Sequence, residues 1–332
     1  MESKYTSAFS ETTAEHISEK ISGLLDGVEF STFALGVSCR PEEKEKIKKG
    51  LQAEILKKIT EQGKKYTQGS FDVYVLVDLP KNKISAEISP IYVSGRYNKF
   101  ERNVAQTIHY CFSCKGRGCR ECDYKGTTGI DSVQEIVARV AEKYFEAAGN
   151  KFHGAGREDV DVLMLGKGRP FVAELLQPRK RNADLKGLEN EINLDKRIKV
   201  SGLKICSKKD VEKTKNSENS KLYYAVVECA IKIDKKMLSK ITLKQKIEIL
   251  QTTPRRSEKS RAMLERKKNA EIKSVKMLDE NSFGIEILAS SGLYIKEFIS
   301  GDGQRTKPSI SEVLGFECKC KQLDVLEIIE SA

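Results

Sequence analysis

Hydrophobic and polar positions follow two different periods in the first ninety residues. Between Pro41 and Lys65, Ile and Leu recur at near-helical spacing among Lys and Glu, which predicts an amphipathic helix with Pro41 in its first turn. Residues 71–78 then alternate as a strand does, and Pro80–Lys83 predicts a turn into a second strand over 83–93. The pattern therefore predicts a small α+β unit built around a hairpin.

One helix and several strands are predicted for the rest of the chain. Ser132 and Glu135 form a capping-box pattern, and the helix they begin is expected to run to Ala148 and to end at Gly149. Strand-like runs occupy 159–165, 170–177, 197–206, 222–233, 281–289 and 318–329. Two Lys-rich stretches, 207–221 and 254–273, interrupt these runs. The first of them is interpreted as a surface loop. The layout indicates an α+β fold rather than alternating βαβ units.

Composition excludes several classes of protein. The 332 residues leave room for two domains. No apolar run approaches the roughly 18 residues of a membrane span, and the first residues lack the apolar segment of a signal peptide, so we expect a soluble, cytoplasmic protein. The 59 Lys and Arg against 48 Asp and Glu give a net charge of +11, which favours a polyanionic partner such as nucleic acid.

Four of the nine cysteines lie close together within the Gly-rich segment 109–128. Cys111, Cys114, Cys119 and Cys122 form two CxxC pairs, and four thiolates are the ligand set of a structural tetrahedral zinc. The odd total and the long chain argue against a disulfide framework. Because the loop between the pairs is short, the alternatives are that the pairs share ligands with another chain or lack the metal.

Three segments combine acidic, aromatic and basic residues near the predicted ends of strands. A Gly-rich turn carries Arg157, Glu158 and Asp159, and residues 221–227 carry two tyrosines near their start. Residues 292–308 are expected to start as a strand and end in a turn. Strands that share a sheet would bring these residues into one cleft. Taken alone, the Gly-Arg-Glu-Asp run fits a charged surface turn equally well.

The same segments match, in order, the motifs of a known family. The run 156–162 resembles the first motif of the pseudouridine synthase family of archaea and eukaryotes that modifies the TΨC arm of transfer RNA at positions 54 and 55. Lys-x-Tyr223-x-Ala resembles the second motif, and Gly-x-Tyr294-Ile-Lys296-Glu-Phe the third. Further matches lie at 94–100, 168–171, 251–256 and 301–308. The resemblance covers residues 90–330, and residues 1–93 look like a THUMP RNA-binding domain.

The resemblance implies an architecture of two parts. Residues 1–128 would form a THUMP-containing accessory RNA-binding domain of α/β type that includes the zinc-knuckle segment 109–128. Residues 129–332 would form the catalytic domain, with a mixed, largely antiparallel sheet and a central cleft. Members of the family carry an extra CxxC that this chain lacks, so the four clustered cysteines either form a complete site or hold the metal only in part.

The resemblance also implies catalytic roles. It places the nucleophile or base on Asp159, with Asp161 as the rival by proximity, and it places on Lys296 the cation that keeps the carboxyl ionised. Many other pseudouridine synthases have Arg at the position of Lys296, so pairing here would be monodentate. Tyr223 would stack on the displaced uracil or help to remove its C5 proton, and Tyr294 would pack under the pocket. Arg157 is expected to belong to the catalytic group together with Asp159.

RNA contacts and partners follow from the same resemblance. Substrate contacts beyond the catalytic group are expected from Tyr223, Tyr294, Arg96, Arg169, Arg256 and Arg305. The 254–273 stretch and residues 179–181 are expected to touch the RNA backbone. The isomerisation needs no catalytic cofactor, so structural zinc is the one cofactor predicted. We expect a monomer that binds tRNA, with no membrane and no obligate protein partner.

Two alternative functions differ in the chemistry they require. A non-catalytic tRNA-binding or tRNA-folding protein on the same scaffold would bind RNA equally well without Asp159. A THUMP methyltransferase or thiolase would need a glycine-rich S-adenosylmethionine loop or a Ser-Gly-Gly phosphate loop, neither of which is recognisable here.

Overall fold

The structure, a computed structural model, describes residues 5–8, 13–39, 45–258 and 262–330. Within these ranges the chain forms two β-sheets with helices packed against them. Two short 3₁₀ helices lie at Arg120–Cys122 and Arg255–Ser257. No helix in the described ranges is long and apolar enough to cross a lipid bilayer.

The first sheet has five strands in the order β1-β5-β4-β2-β3. Their bounds are β1 Tyr5–Ala8, β2 Thr32–Ser38, β3 Lys65–Tyr66, β4 Val73–Asp78 and β5 Lys83–Ile88. The helices α1 (Ala14–Leu24) and α2 (Glu45–Glu61) pack on this sheet through buried isoleucines. The antiparallel pairing of β4 with β5 confirms the predicted hairpin, and α2 confirms the predicted helix. The expected helix start at Pro41 lies outside the described residues.

The second sheet has ten strands, and all its pairs are antiparallel except that of β15 with β8. Their order is β14-β11-β12-β13-β10-β15-β8-β6-β9, with β7 added against β8. The bounds are β6 Ile91–Lys99, β7 Gly149–Gly154, β8 Leu163–Leu176, β9 Ile198–Cys206, β10 Ser220–Cys229, β11 Lys246–Thr252, β12 Glu265–Met277, β13 Ser282–Ala289, β14 Thr306–Lys307 and β15 Cys318–Ile329. The predicted mixed, largely antiparallel sheet is therefore confirmed.

The two sheets divide the chain near Pro90 and not at the predicted boundary between residues 128 and 129. The strand expected over 83–93 ends at Ile88, and Ile91 begins β6, which pairs with β8 and β9 of the second sheet. Pro90 lacks the N–H that a ladder requires, so the chain leaves one sheet there and enters the other.

The helix α3 (Val133–Phe145) begins as the capping box predicts. Ser132 Oγ accepts a hydrogen bond from Glu135 N at 3.1 Å and donates one to the Glu135 carboxylate at 2.6 Å. It ends three residues earlier than expected, because Glu146 takes the left-handed conformation with φ of 46°. Gly149, the expected stop, is the first residue of β7.

Several other sequence predictions need correction. The remaining helices are α4 Leu185–Ile192, α5 Lys208–Lys215, α6 Lys235–Leu238, α7 Ile295–Ser300 and α8 Ile310–Leu314. The expected loop over 207–221 thus contains α5, and the expected strand after Gly292 contains α7. Most of the basic stretch after residue 264 is strand β12. The strands expected over 159–165 and 170–177 are one strand, β8, preceded by a turn.

Residues 179–181 connect the two sheets. The Arg181 guanidinium forms an ion pair with Asp72 at 3.0 Å and donates a hydrogen bond to Ser89 O at 3.0 Å. Glu29 accepts from Arg181 N at 2.8 Å and donates its own N–H to Arg179 O at 2.8 Å. Arg181 therefore holds the first sheet against the second, and the RNA contact expected from residues 179–181 stays a prediction.

Candidate active site

Residues 155–162, between β7 and β8, form a turn held from beneath by buried side chains. Lys99, which is completely buried at the end of β6, donates from its ammonium to Asp159 O at 3.2 Å, Val160 O at 3.0 Å and Val104 O at 2.6 Å. Burial lowers the pKa of Lys99, and the carboxylates of Glu158 and Asp161 oppose that shift. Lys99 thus ties the backbone that carries the Asp159 side chain, through the carbonyls of Asp159 and Val160, to the segment of Val104.

Glu158 points away from solvent into a second set of polar groups. Its carboxylate accepts from Tyr97 Oη at 2.8 and 2.9 Å and forms an ion pair with Arg169 Nε at 2.8 Å. The side chains of Glu158 and Arg169 are each 1% exposed. Arg169 also donates to Ala155 O, and Gln106 donates to Gly156 O. Arg169, expected to contact RNA, thus lies beneath the turn with its charge compensated by Glu158.

Asp159 faces the opposite way, toward solvent, and lies between two cations. Its Oδ2 is 2.9 Å from Arg256 Nη1 and 3.3 Å from Lys296 Nζ, and its side chain is 40% exposed. Burial alone would raise the pKa of Asp159, but Arg256 and then Lys296 outweigh it and bring the pKa below its ordinary value. The carboxyl is therefore ionised at neutral pH.

Arg256, expected from sequence to contact RNA, is the nearer of the two cations. Its Nε donates to Glu297 Oε1 at 2.7 Å, and its guanidinium lies 5.9 Å from the centre of the Tyr294 ring. Lys296 is closer to Asp161, whose two oxygens both lie 2.9 Å from its ammonium. Asp161 therefore belongs to the turn and binds Lys296, whereas the sequence pattern predicts a strand over 159–165.

A pocket of about 310 Å³ lies in front of Asp159. Its walls include most of the residues expected from the motifs, namely Arg157, Asp159, Arg169, Tyr223, Arg256, Tyr294 and Lys296. Tyr223 projects from β10, and burial raises the pKa of its phenol to about 12. Tyr294 is held through its backbone, which donates to and accepts from the Gln251 side chain at 2.8 and 3.1 Å. Charged and aromatic groups thus converge on one small volume.

The remaining predicted arginines differ in position. Arg157 lies exposed at the rim, with Nη2 3.0 Å from His109 Nε2. Arg96 binds Glu330 and the carbonyls of Lys167 and Gly168. Arg305 binds Glu258 and Thr253 O. Neither Arg96 nor Arg305 is among the residues that form the wall of the Asp159 pocket.

The four cysteines expected to bind zinc converge in space. Their sulfur atoms all lie within 4.8 Å of one another, and the pairs 111/119, 114/122 and 119/122 are 3.8 Å apart. Tetrahedral zinc with Zn–S bonds of about 2.3 Å places its sulfurs about 3.8 Å apart. Backbone N–H groups of Gly118 and Gly126 donate to Cys114 Sγ and Cys122 Sγ, as is suitable for thiolates. The cluster therefore has the geometry of a complete four-thiolate metal site.

Comparison with known proteins decides the family. The sequence model described as "Pus10, C-terminal" matches residues 92–329. The chain belongs to the Pus10 family. A protein of Methanocaldococcus jannaschii named tRNA pseudouridine synthase Pus10 is 43% identical over 77% of this chain and 57% of that protein. One of the same name from Archaeoglobus fulgidus is 36% identical over 95% of this chain and 91% of that protein.

The match to Pus10 begins where the second sheet begins. Residue 92 is the second residue of β6, so the second sheet apart from Ile91, the four cysteines and the Asp159 pocket lie within the matched range. A solved Cbf5–Nop10–Gar1 complex is similar with a TM-score of 0.35 at 11% identity, over 72% of this chain and 60% of that chain. The chain spans little more than half the length of the M. jannaschii relative.

Proposed function

We propose that the chain is a tRNA pseudouridine synthase that modifies uridine in the TΨC arm, at positions 54 and 55, with Asp159 as its nucleophile. The observation that carries this proposal is the Asp159 carboxylate, which faces a pocket with Arg256 at 2.9 Å and Lys296 at 3.3 Å. The name of the Pus10 relatives supports the same reaction and the same class of RNA.

The reaction asks for few groups, and the pocket has those it needs. The N1–C1′ bond of uridine breaks, a C5–C1′ bond forms, and the proton lost from C5 is balanced by one gained at N1. No electron is gained or lost, so the essential group is an ionised carboxylate beside the junction of sugar and base. Asp159 supplies it, whether attack is at the uracil ring or at the ribose carbon.

Tyr223 provides a face on which the detached uracil turns. A ring face holds a base without fixing its rotation, whereas directed hydrogen bonds would oppose that rotation. Because its pKa is about 12, the phenol is neutral at physiological pH and does not repel Asp159. The same property favours stacking over removal of the C5 proton, since a phenolate would be the stronger base.

The target uridine must leave the RNA stack to reach Asp159. Flipping a base out costs a few kcal/mol, which phosphate contacts offset. A net charge of +11 supplies the cations for such contacts. The pocket of about 310 Å³ lies at the small end of the range for ligand pockets, as a single flipped base requires. We assign it as the cleft of the catalytic domain.

Two further assignments complete the proposal. The first sheet with α1 and α2 acts as a THUMP-like unit that holds the RNA near its acceptor end, and Arg181 sets its position relative to the pocket. The cysteine cluster holds structural zinc, for which its sulfur spacing is suited. Four protein ligands leave no position for water, so the metal takes no part in the reaction.

One assay tests the activity. Unmodified tRNA transcript is incubated with the protein without any cofactor, and pseudouridine is then mapped chemically at single-nucleotide resolution. The wild type is expected to form pseudouridine in the TΨC arm, and Asp159→Ala is expected to bind the RNA without forming product. A wild type that binds and refolds tRNA yet forms no pseudouridine would instead identify a non-catalytic RNA-binding protein.

A further inference from the structure

Lys221, at the start of β10, is a buried cation whose position the reaction itself does not explain. The residue is 6% exposed, and its ammonium donates to Asn219 O at 2.7 Å. Among the residues that the structure describes, no carboxylate lies within 4.0 Å of it. An ammonium removed from water without a counter-ion is unfavourable, so such a group points to a ligand that is absent from the free protein.

The surroundings of Lys221 are themselves basic. Burial first, and then the nearby charges of Arg169 and Lys268, lower the pKa of Lys221 to about 8. The charge of Arg169 is compensated by Glu158, whereas Lys268 forms no ion pair within the described part of the chain. Two ammonium groups with no anion between them form a site of strongly positive potential.

Strand register places both lysines on the face of the sheet that bears the pocket. Lys221 lies two residues before Tyr223 on β10, so the two side chains leave the same face. Lys221 pairs with Ala289 of the neighbouring strand β13, and Ala289 pairs on its other side with Ala270 of β12. Lys268 lies two residues before Ala270 and therefore shares that face as well.

Two glycines lie directly against the lysine side chains. A Cβ built on Gly156 would lie 3.0 Å from Arg169 Nη1 and 3.7 Å from Lys221 Cε, and one built on Gly292 would lie 3.3 Å from Lys268 Nζ. Both glycines are exposed, and both lie in the turns that carry pocket residues, Arg157 and Leu293 respectively. Because glycine carries no side chain, neither residue covers its neighbouring lysine with one.

We propose that Lys221 and Lys268 form a phosphate site at the edge of the Asp159 pocket, which binds a backbone phosphate of the RNA adjacent to the flipped uridine. The proposal rests on the proposed function and deepens it, because it assigns how the substrate backbone is anchored. A phosphate gives the two ammonium groups the counter-ion they lack, and its sugar then lies beside Asp159 and Tyr223.

The first test is RNA affinity as a function of salt, measured with the full chain carrying Asp159→Ala so that no product forms. Lys221→Met and Lys268→Met are each expected to raise Kd roughly tenfold and to lower the salt slope by about one. Lys276→Met is the matched control, because it removes the same charge from an exposed site about 26 Å farther along β12. An unchanged salt slope for Lys221→Met would overturn the proposal.

A second test locates the phosphate. An uncharged methylphosphonate is placed either 5′ or 3′ to the target uridine, and Kd is compared for the Asp159→Ala chain with and without Lys221→Met. At one of the two linkages, the methylphosphonate is expected to weaken RNA binding when Lys221 is present and to have no effect in Lys221→Met. The proposal would be overturned if the methylphosphonate weakened RNA binding equally with and without Lys221 at both linkages. It would also be overturned if inorganic phosphate competed with RNA while neither linkage depended on Lys221.

Stability separates this role from a structural one. Because Lys221→Met removes an uncompensated buried charge, the thermal midpoint of the free protein is expected to be no lower than that of the wild type. A structural lysine would lower it. Failure of the proposed function would be seen separately, as a wild-type protein that forms no pseudouridine whatever the salt slopes are.

Discussion

Glu158 and Asp159 are neighbours in sequence, each is an acid paired with an arginine, and their surroundings are opposite. Glu158 meets Arg169 at 2.8 Å with both side chains 1% exposed. Asp159 meets Arg256 at 2.9 Å with side chains 40% and 46% exposed. One pair lies under the turn and the other above it, in front of the pocket.

The buried pair of Glu158 and Arg169 has a structural role, whereas the exposed pair of Asp159 and Arg256 is placed to meet the substrate. A buried pair that is broken leaves an uncompensated charge, so Glu158 and Arg169 are held permanently. An exposed pair gains little from its contact, because water and ions replace it readily. Asp159 is thus able to exchange Arg256 for substrate, while the buried pair keeps the turn in place during that exchange.

The largest expected effect is on catalysis. Asp159→Asn keeps the shape of the side chain and removes its charge, so pseudouridine formation should fall by roughly 10⁴-fold or more while tRNA affinity is retained. Asp161→Asn is the matched control, since it removes a neighbouring carboxylate that also binds Lys296, and its loss should be much smaller. Single-turnover rates measure both, and equal losses would make Asp161 the nucleophile.

The second prediction concerns the buried member of the pair. Glu158→Gln leaves Arg169 buried without a counter-ion, so the free energy of unfolding should fall by about 3–5 kcal/mol. Asp159→Asn should change it by less than about 1 kcal/mol, because its side chain is 40% exposed and an ion pair in such a position contributes little. Urea unfolding measures both changes in the free energy of unfolding. Equal changes for the two variants would contradict the prediction.

Arg256 should affect the pH dependence of the reaction. It is the first of the cations that lower the pKa of Asp159, so Arg256→Gln should raise that pKa. The carboxyl must be ionised to act, and activity is lost as pH falls through its pKa. The acid limb of kcat/KM should therefore move to higher pH, whereas Arg255→Gln should leave it in place.

The smallest effect is expected from the cysteine cluster. Cys111→Ser should release zinc and lower the thermal midpoint. Activity should fall only a few-fold, because the cysteine segment contacts the pocket rim only indirectly, through His109 and Arg157. Cys39→Ser, which changes a cysteine far from the cluster in sequence, is the control. Unchanged metal content and stability in Cys111→Ser would refute the zinc assignment.

Sequence reasoning succeeded where the information is local. The alternation in 73–78 and 83–88 identified the hairpin, and Ser132 with Glu135 identified the start of α3. The ordered motifs named Asp159, Tyr223 and Lys296, which the structure brings to one pocket. The run after Gly292, predicted as a strand, is the helix α7, and the helical spacing of Ile295, Phe298 and Ile299 is the signal in the sequence that indicates it.

What sequence could not supply depends on long-range pairing. Arg169, Arg181 and Arg256 were all assigned to RNA, because an arginine in a motif carries no sign of whether an acid lies opposite it in space. Their partners are Glu158, Asp72 and Asp159 respectively, of which the last two are about 100 residues away. Membership of β6 in the second sheet is a similar case, since it depends on β8 and β9, which lie far along the chain.

The place where the chain passes between sheets limits how the protein can be shortened. A fragment that starts at residue 129 would lack β6, so β8 and β9 would each expose a row of unpaired N–H and C=O groups. Such open edges promote self-association. It would also lack Lys99, and the turn of Asp159 would lose the two hydrogen bonds that Lys99 donates to it. The smallest fragment with a chance of activity therefore begins before Ile91.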